Sequence, residues 1–240
     1  MQFNKINLIN LKIIKIKMSS KILNFFEIDS TNLEAKRMID ANMISTSVII
    51  SAKIQTNGRG RLERTWYSLL GNFMFSIVIP VKWVKNINTL PPAVCIAIYK
   101  AIFPNLNIYF KWPNDLIILE EGIPKKIAGI LIEKHKDFMI IGIGINVKET
   151  PNINAIFPPT NLAINNINIE TELEIDNYLL NILRQDSQII LQKWRERNYF
   201  QGKFIKINKM EGIFEDIDEN FSVILNQNGL KKIITFGDVE

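Results

Sequence analysis

Short apolar runs separated by polar turns dominate the pattern of this chain, and helical spacing enters at only a few places. Lys21–Ile28 reads as a strand. The segment Ser30-Thr31-Asn32-Leu33-Glu34 follows, with the Thr-x-x-Glu spacing of a capping box, and predicts a helix to about Asn42. Residues 46–52 have the continuous apolar character of a buried strand, and a polar, glycine-bearing loop runs from Lys53 to about Thr65. Phe73–Pro80 is the next strand. Pro91 and Pro92 precede a helix over residues 93–103, with Val94, Ile98 and Ala101 on one stripe. Strands are predicted at 108–110, 127–133 and 138–147, the last two joined by a charged hairpin at 134–137. Residues 151–159 read as a loop and 173–198 as one long amphipathic helix.

After Gly202 only short strands follow, at 204–208, 212–216, 222–225 and 232–236, which predicts a small barrel-like appendage. The order of strands and helices predicts an α+β fold whose mixed, largely antiparallel sheet is flanked by helices, not a doubly wound parallel one. The expected organisation is an extension over 1–17, a main domain over 18–198 and the appendage over 199–240.

At 240 residues, 47% hydrophobic and 22% charged, the chain is an ordinary globular protein, and disordered or collagen-like classes are excluded. A single cysteine, Cys95, forbids an internal disulfide, and with the single histidine, His135, it cannot build a Cys/His zinc site. Any Ser-His-Asp or papain-like triad would need His135 as its base. No protein metal site is expected, and a reducing, cytoplasmic compartment fits best. The longest apolar stretches, 73–81 and 139–147, are under half a membrane span, so no membrane association is expected. Residues 1–17 carry four lysines and no acid and lack the apolar core of a secretory signal. They are expected to precede the true initiator, Met18. The net charge of +5 suits either a nucleic acid or an anionic small ligand.

With only eleven glycines, their placement is informative. Gly58 and Gly60 flank Arg59 in Gln55-Thr56-Asn57-Gly58-Arg59-Gly60-Arg61, with Arg64 and Trp66 just beyond. This alternation predicts a backbone turning at positive φ and approaching a ligand closely, with guanidinium forks for phosphate or carboxylate oxygens. The Gly-Lys-Ser/Thr ending of a Walker loop is missing. A second cluster, Lys111-Trp112-Pro113-Asn114-Asp115, places an extended or turning Trp-Pro just after a short strand. Lys126 precedes the apolar run Ile127-Ala128-Gly129-Ile130-Leu131, where a low-dielectric wall strengthens its pull on an anion. A third, Gly142-Ile143-Gly144-Ile145-Asn146, leaves one strand face bare for a flat ligand, or marks a bulge. Singly, each reads equally well as a turn or an irregular strand.

In this order and spacing, with Ser30-Thr31-Asn32 ahead of them, the clusters resemble a bacterial biotin–protein ligase over residues 25–146, with a weaker match to the end of the chain. The resemblance implies a class II synthetase-like catalytic domain followed by an SH3-like barrel. It implies an enzyme that activates biotin with MgATP as biotinyl-5′-AMP. The biotinyl group then passes to one lysine of the biotin carboxyl carrier protein of acetyl-CoA carboxylase. Ser30, Thr31, Asn32 and Gln55 would line the biotin pocket, with Gly129 beside it. Arg59, Gly60 and Arg61 would fold over the biotin tail and phosphate, and Lys126 would hold the carboxylate and α-phosphate. Arg64, Lys111 and Asn114 would join the ATP site, Trp66 would pack on adenine, and Asn146 would read its edge. Asp115 is the candidate to orient or deprotonate the acceptor amine.

One departure stands out: where the family's loop has a glycine, this chain has Glu63, which is expected to stiffen the loop and to pair with an arginine. Regulatory relatives carry a helix-turn-helix before the Ser-Thr-Asn motif. Only 29 residues precede Ser30 here, so no specific DNA binding is expected, and the chain is expected to act as a monomer or homodimer. The competing readings are a lipoate–protein ligase, whose arginine-and-triple-glycine stretch is missing, and a basic nucleic-acid module, for which the loop offers only Trp66 and Tyr67 as stacking groups.

Overall fold

A computed structural model describes residues 21–104, 106–162 and 172–239; the extension expected over 1–17 lies outside the described residues. Seven strands form one sheet: β1 (Lys21–Ile28), β2 (Val48–Gln55), β3 (Phe73–Pro80), β4 (Ile108–Lys111), β5 (Asp115–Glu120), β6 (Ile123–His135) and β7 (Phe138–Ile145). Their order is β1-β2-β3-β7-β6-β5-β4. Only β1 and β2 run parallel; every other neighbour is antiparallel.

The continuous apolar runs are explained by burial on both faces. On one face, α1 (Thr31–Asp40) packs Ala35, Met38 and Ile39 against Val48, Ile50, Val78 and Ile140. On the other, α2 (Leu90–Ile102), α3 (Glu172–Ile182) and α4 (Ser187–Arg195) cover Ile49, Phe75, Ile77, Ile141 and Ile143. Alternate residues of one strand thus enter different cores. Pro91 and Pro92 lie in the first turn of α2, where their missing N–H groups cost nothing.

Four expectations change. The predicted capping box does not form: Ser30 is the N-cap and makes no side-chain cap bond, so the Thr31-to-Glu34 spacing falls one residue out of step. The helix expected over 173–198 is two helices, with Asp186 capping the second through Gln188 N at 2.8 Å. Strand β5 is absent from the sequence-based expectation because the Trp-Pro turn just before Asp115 masks the short apolar run over residues 116–119. The barrel-like appendage is an antiparallel meander, β8 (Phe204–Ile207), β9 (Met210–Ile217), β10 (Val223–Gln227) and β11 (Leu230–Ile234), whose outer strands do not pair among the described residues. The meander shares the main core: Trp112 Nε1 donates to Phe221 O at 2.9 Å, and Trp194 meets the Phe221 ring edge-on at 5.0 Å.

Candidate active site

Sheet register builds the floor of a cavity of about 730 Å³ on the α1 side. Ser76, Gly142 and Leu131 stand in one row across β3, β7 and β6, and Met74, Gly144 and Gly129 in the next. The glycines leave these rows bare, as the sequence predicts, but the protein itself fills the space. Asn32 lies on Gly142 and the Trp66 indole on Gly144 and Gly129, so a β-carbon at Gly142 or Gly144 would collide with them. The flat group on these strands is the Trp66 indole, not a bare face.

One end of the cavity is neutral and polar. The Gln55 side chain, 24 residues away in sequence, starts α1: its Oε1 accepts from Thr31 N at 2.8 Å. Ser76 Oγ lies 2.7 Å from Thr31 Oγ1 and 2.6 Å from Asn32 Oδ1. Asn32 Nδ2 donates to Glu133 at 2.9 Å, and Glu133 also pairs with Lys36 at 2.7 Å and Arg59 at 3.3 Å. Burial raises the Glu133 carboxyl, but bonds from Lys36 and Asn32 and the charge of Arg59 outweigh it and hold it below the usual range.

The arginine loop closes on itself through Trp66 N to Gly58 O at 2.9 Å and Gly60 N to Arg64 O at 2.7 Å. Gly58 is required because the Trp66 carbonyl packs where its β-carbon would stand. The expected positive φ is absent from Gly58 and Gly60 and falls instead on Leu62 (52°) and Glu63 (59°), since the tight return is made one turn later. Glu63 pairs with no arginine among the described residues. The arginines turn elsewhere: Arg61 and Arg64 reach Asp238 at 3.0 and 2.7 Å, and Arg61 also donates to Gly237 O at 3.1 Å and Asn114 Oδ1 at 3.3 Å. The end of the meander is thereby tied to the loop.

At the other end, Asp115 bridges Lys126 (2.8 Å) and Lys111 (3.1 Å). Burial alone would raise its carboxyl, but the two ammonium groups lower it to about 2. Lys126 Nζ stands 5.6 Å over the Trp66 ring and Lys111 Nζ 4.9 Å over Phe157. Asn146 Oδ1 and Trp66 Nε1 are buried without a hydrogen-bond partner in the protein.

Every residue given a site role from the resemblance lines this one cavity, whereas Gly58, Glu63 and Trp112 do not. Sequence reading missed Asp238 and the 151–159 loop, whose Ile153 and Phe157 form a wall, and also Ser76 and Glu133, which act from behind the lining through Thr31, Asn32 and Arg59. Ser76 had a signal, as the lone polar residue within an apolar strand. Six cations here, Lys36, Arg59, Arg61, Arg64, Lys111 and Lys126, face three carboxylates, so the cavity keeps a positive excess. No helix among the described residues is long and apolar enough to cross a membrane.

The model of the biotin/lipoate A/B protein ligase family matches residues 26–146. A bifunctional ligase/repressor BirA of Bacillus subtilis is 34% identical over 134 residues, which are 52% of this chain and 40% of that protein. A biotin–[acetyl-CoA-carboxylase] ligase of Mycobacterium tuberculosis is 25% identical over 235 residues, 88% of this chain and 85% of that one. Among solved structures, a biotin protein ligase from Aquifex aeolicus in complex with biotin and ATP superposes with a TM-score of 0.76 at 26% identity, covering 92% of this chain and 97% of the other.

Proposed function

Because the chain belongs to the biotin/lipoate A/B protein ligase family, we propose that it activates biotin with ATP as biotinyl-5′-AMP and transfers the biotinyl group to a lysine of a biotin carboxyl carrier protein, in the cytoplasm. One observation carries this reading: a single cavity joins a neutral hydrogen-bonding end, suited to a ureido head, to a cation-rich end suited to a carboxylate meeting a triphosphate.

In the first step the biotin carboxylate attacks the α-phosphorus and pyrophosphate leaves. Holding two anions in line supplies roughly 7–11 kcal/mol of the barrier through placement alone. Lys126, Arg59 and Arg61 offset the repulsion between them and the charge growing on pyrophosphate. The arginines are held by Glu133 and Asp238 in pairs that leave each accessible from the cavity. Trp66 packs against adenine, and the unpaired Asn146 Oδ1 accepts from its exocyclic amine. Magnesium arrives with ATP. Each carboxylate at the site already faces two basic side chains, and no cluster of three or more His, Cys, Asp or Glu exists among the described residues. With its carboxylates so engaged, the site would leave most of the ion's coordination to the triphosphate and water, and the ion would supply charge to the leaving pyrophosphate.

In the second step the acceptor amine attacks the acyl carbon of the mixed anhydride and AMP leaves. A carboxyl lowered to about 2 is a poor base at neutral pH, so of the two roles open to Asp115, orienting the amine is the one its chemistry supports. When Lys126 turns to the phosphate, Asp115 Oδ1 is freed to accept from that amine. The test is biotin-dependent exchange of labelled pyrophosphate into ATP, followed by transfer to the carrier protein. Lipoate in place of biotin supports neither if the reading is correct.

A further inference from the structure

Resting on the biotin-ligase reading, we propose that Glu133 is a positioning residue. By holding Asn32, it sets the direction of a hydrogen-bond relay through Ser76 and Thr31, so that the cavity presents a donor and an acceptor matched to a cyclic urea. A carboxylate only accepts, so the Asn32 amide must turn Nδ2 to Glu133 (2.9 Å), with Leu131 O at 3.4 Å as its second acceptor. Asn32 Oδ1 then faces Ser76 Oγ at 2.6 Å and can only accept, which commits the single Ser76 proton. Ser76 has only lone pairs left for Thr31 Oγ1 at 2.7 Å, so the Thr31 proton goes to Ser76.

Two consequences reach the ligand. Thr31 Oγ1 is also within donating reach of Gln55 Oε1 at 3.1 Å, but its one proton goes to the closer Ser76 Oγ at 2.7 Å, which leaves none between the Thr31 and Gln55 oxygens, so both favour an incoming N–H. Gln55 Oε1 already accepts from Thr31 N, so the same amide offers Nε2 to a ligand oxygen. A cyclic urea carries N–H donors beside a carbonyl acceptor, the complement of this pair. Register makes the relay: Glu133 stands opposite Ile140, one row beyond the Ser76–Gly142–Leu131 row and on the same face as Asn32.

The test compares Glu133→Gln, Glu133→Asp and Ser76→Ala in the full chain, reading KM for biotin and for ATP in pyrophosphate exchange and Kd for biotin by calorimetry. Glu133→Gln introduces a donor that lets Asn32 flip and reverses the relay. Its Kd for biotin is expected to rise about tenfold, the scale of one buried hydrogen bond, while any change in its kcat or KM for ATP belongs to the loosened Arg59 pair. Ser76→Ala cuts the relay without touching Arg59 or Lys36 and is expected to match it, with the double variant no worse than either single one. Glu133→Asp keeps an acceptor-only group and is expected to retain most of the affinity. An unchanged biotin Kd in Glu133→Gln, additive effects on that Kd in the double variant, or a rise in KM for ATP in Ser76→Ala equal to its rise in KM for biotin would each overturn the proposal. A wild type that binds biotin but does not exchange pyrophosphate sinks the ligase reading while the Kd series still judges Glu133. A wild type that binds no biotin overturns both.

Discussion

Lys126 Nζ lies 2.8 Å from Asp115 Oδ1, yet the two groups are differently placed: the lysine side chain is 29% exposed and the carboxylate 9%. Both line the cavity, but the cation stands further out while its counter-ion is largely covered, with Lys111 as its second partner at 3.1 Å. A ligand anion can therefore take Lys126 away from Asp115 without leaving the carboxylate unpaired.

Replacing Asp115 by Asn strands two ammonium groups, one of them almost wholly buried. Loss of a buried partner of this kind costs about 3–5 kcal/mol; the partial exposure of Lys126 places the expected loss nearer about 3 kcal/mol, read from the denaturant midpoint. The sign of the pH effect follows from the lowered carboxyl. Its folded value of about 2 lies below the ordinary 3.8, so its stabilisation is complete above the ordinary value and lost as pH falls through about 2. The wild type should lose stability across that window, and Asp115→Asn should show a shallower acid slope there.

Gly144→Ala places a methyl group into the Trp66 indole. The ring must leave its seat, so KM for ATP is expected to rise by at least about fivefold, on the scale of a displaced aromatic contact. The shift should be accompanied by a change in tryptophan emission. An unaltered KM for ATP would mean that the indole does not form the adenine seat.

Asn146 Oδ1 has no protein donor, so a base without an exocyclic amine leaves it buried and unsatisfied. Inosine triphosphate, which carries a carbonyl there, is expected to be used roughly 10- to 100-fold less efficiently than ATP in kcat/KM. Equal use of the two would contradict the assigned role.

Leu62 and Glu63 occupy the left-handed region in succession, and Glu63 stands where the resemblance leads one to expect a glycine. Glu63→Gly removes one such constraint and widens the conformations open to the loop. Release of the bound adenylate is expected to quicken, as followed by chase with unlabelled ligand. A slower release would show that the glutamate does not restrain the loop.

Much of this site is legible because its chemistry is carried by local strings, the arginine loop, Lys126 and the paired glycines, which point to one ligand-facing site by their order and spacing although none does so alone. The missing parts depend on register. Glu133 looks like an ordinary strand-end acid until β6 is aligned with β7, which puts it on the face of Asn32. The start of α1 misled for a similar reason, since its first amide is met by Gln55 from another strand and not by a neighbour in sequence. The bare glycine face was read correctly, but its occupant, Trp66, lies on a loop whose path no periodicity reveals. The helix expected over 173–198 breaks where Asp186 offers a stronger local cap than continued helix does.

The most direct test of the account is biotin-dependent ATP–pyrophosphate exchange by the wild type and by Lys126→Ala. The wild type should exchange only when biotin is present, and the variant should fall by roughly 100-fold or more, the loss typical of removing one preorganised charge-stabilising group. A folded wild type without exchange, or a variant at full rate, would contradict the claim that cations converging on this cavity activate the vitamin's carboxylate.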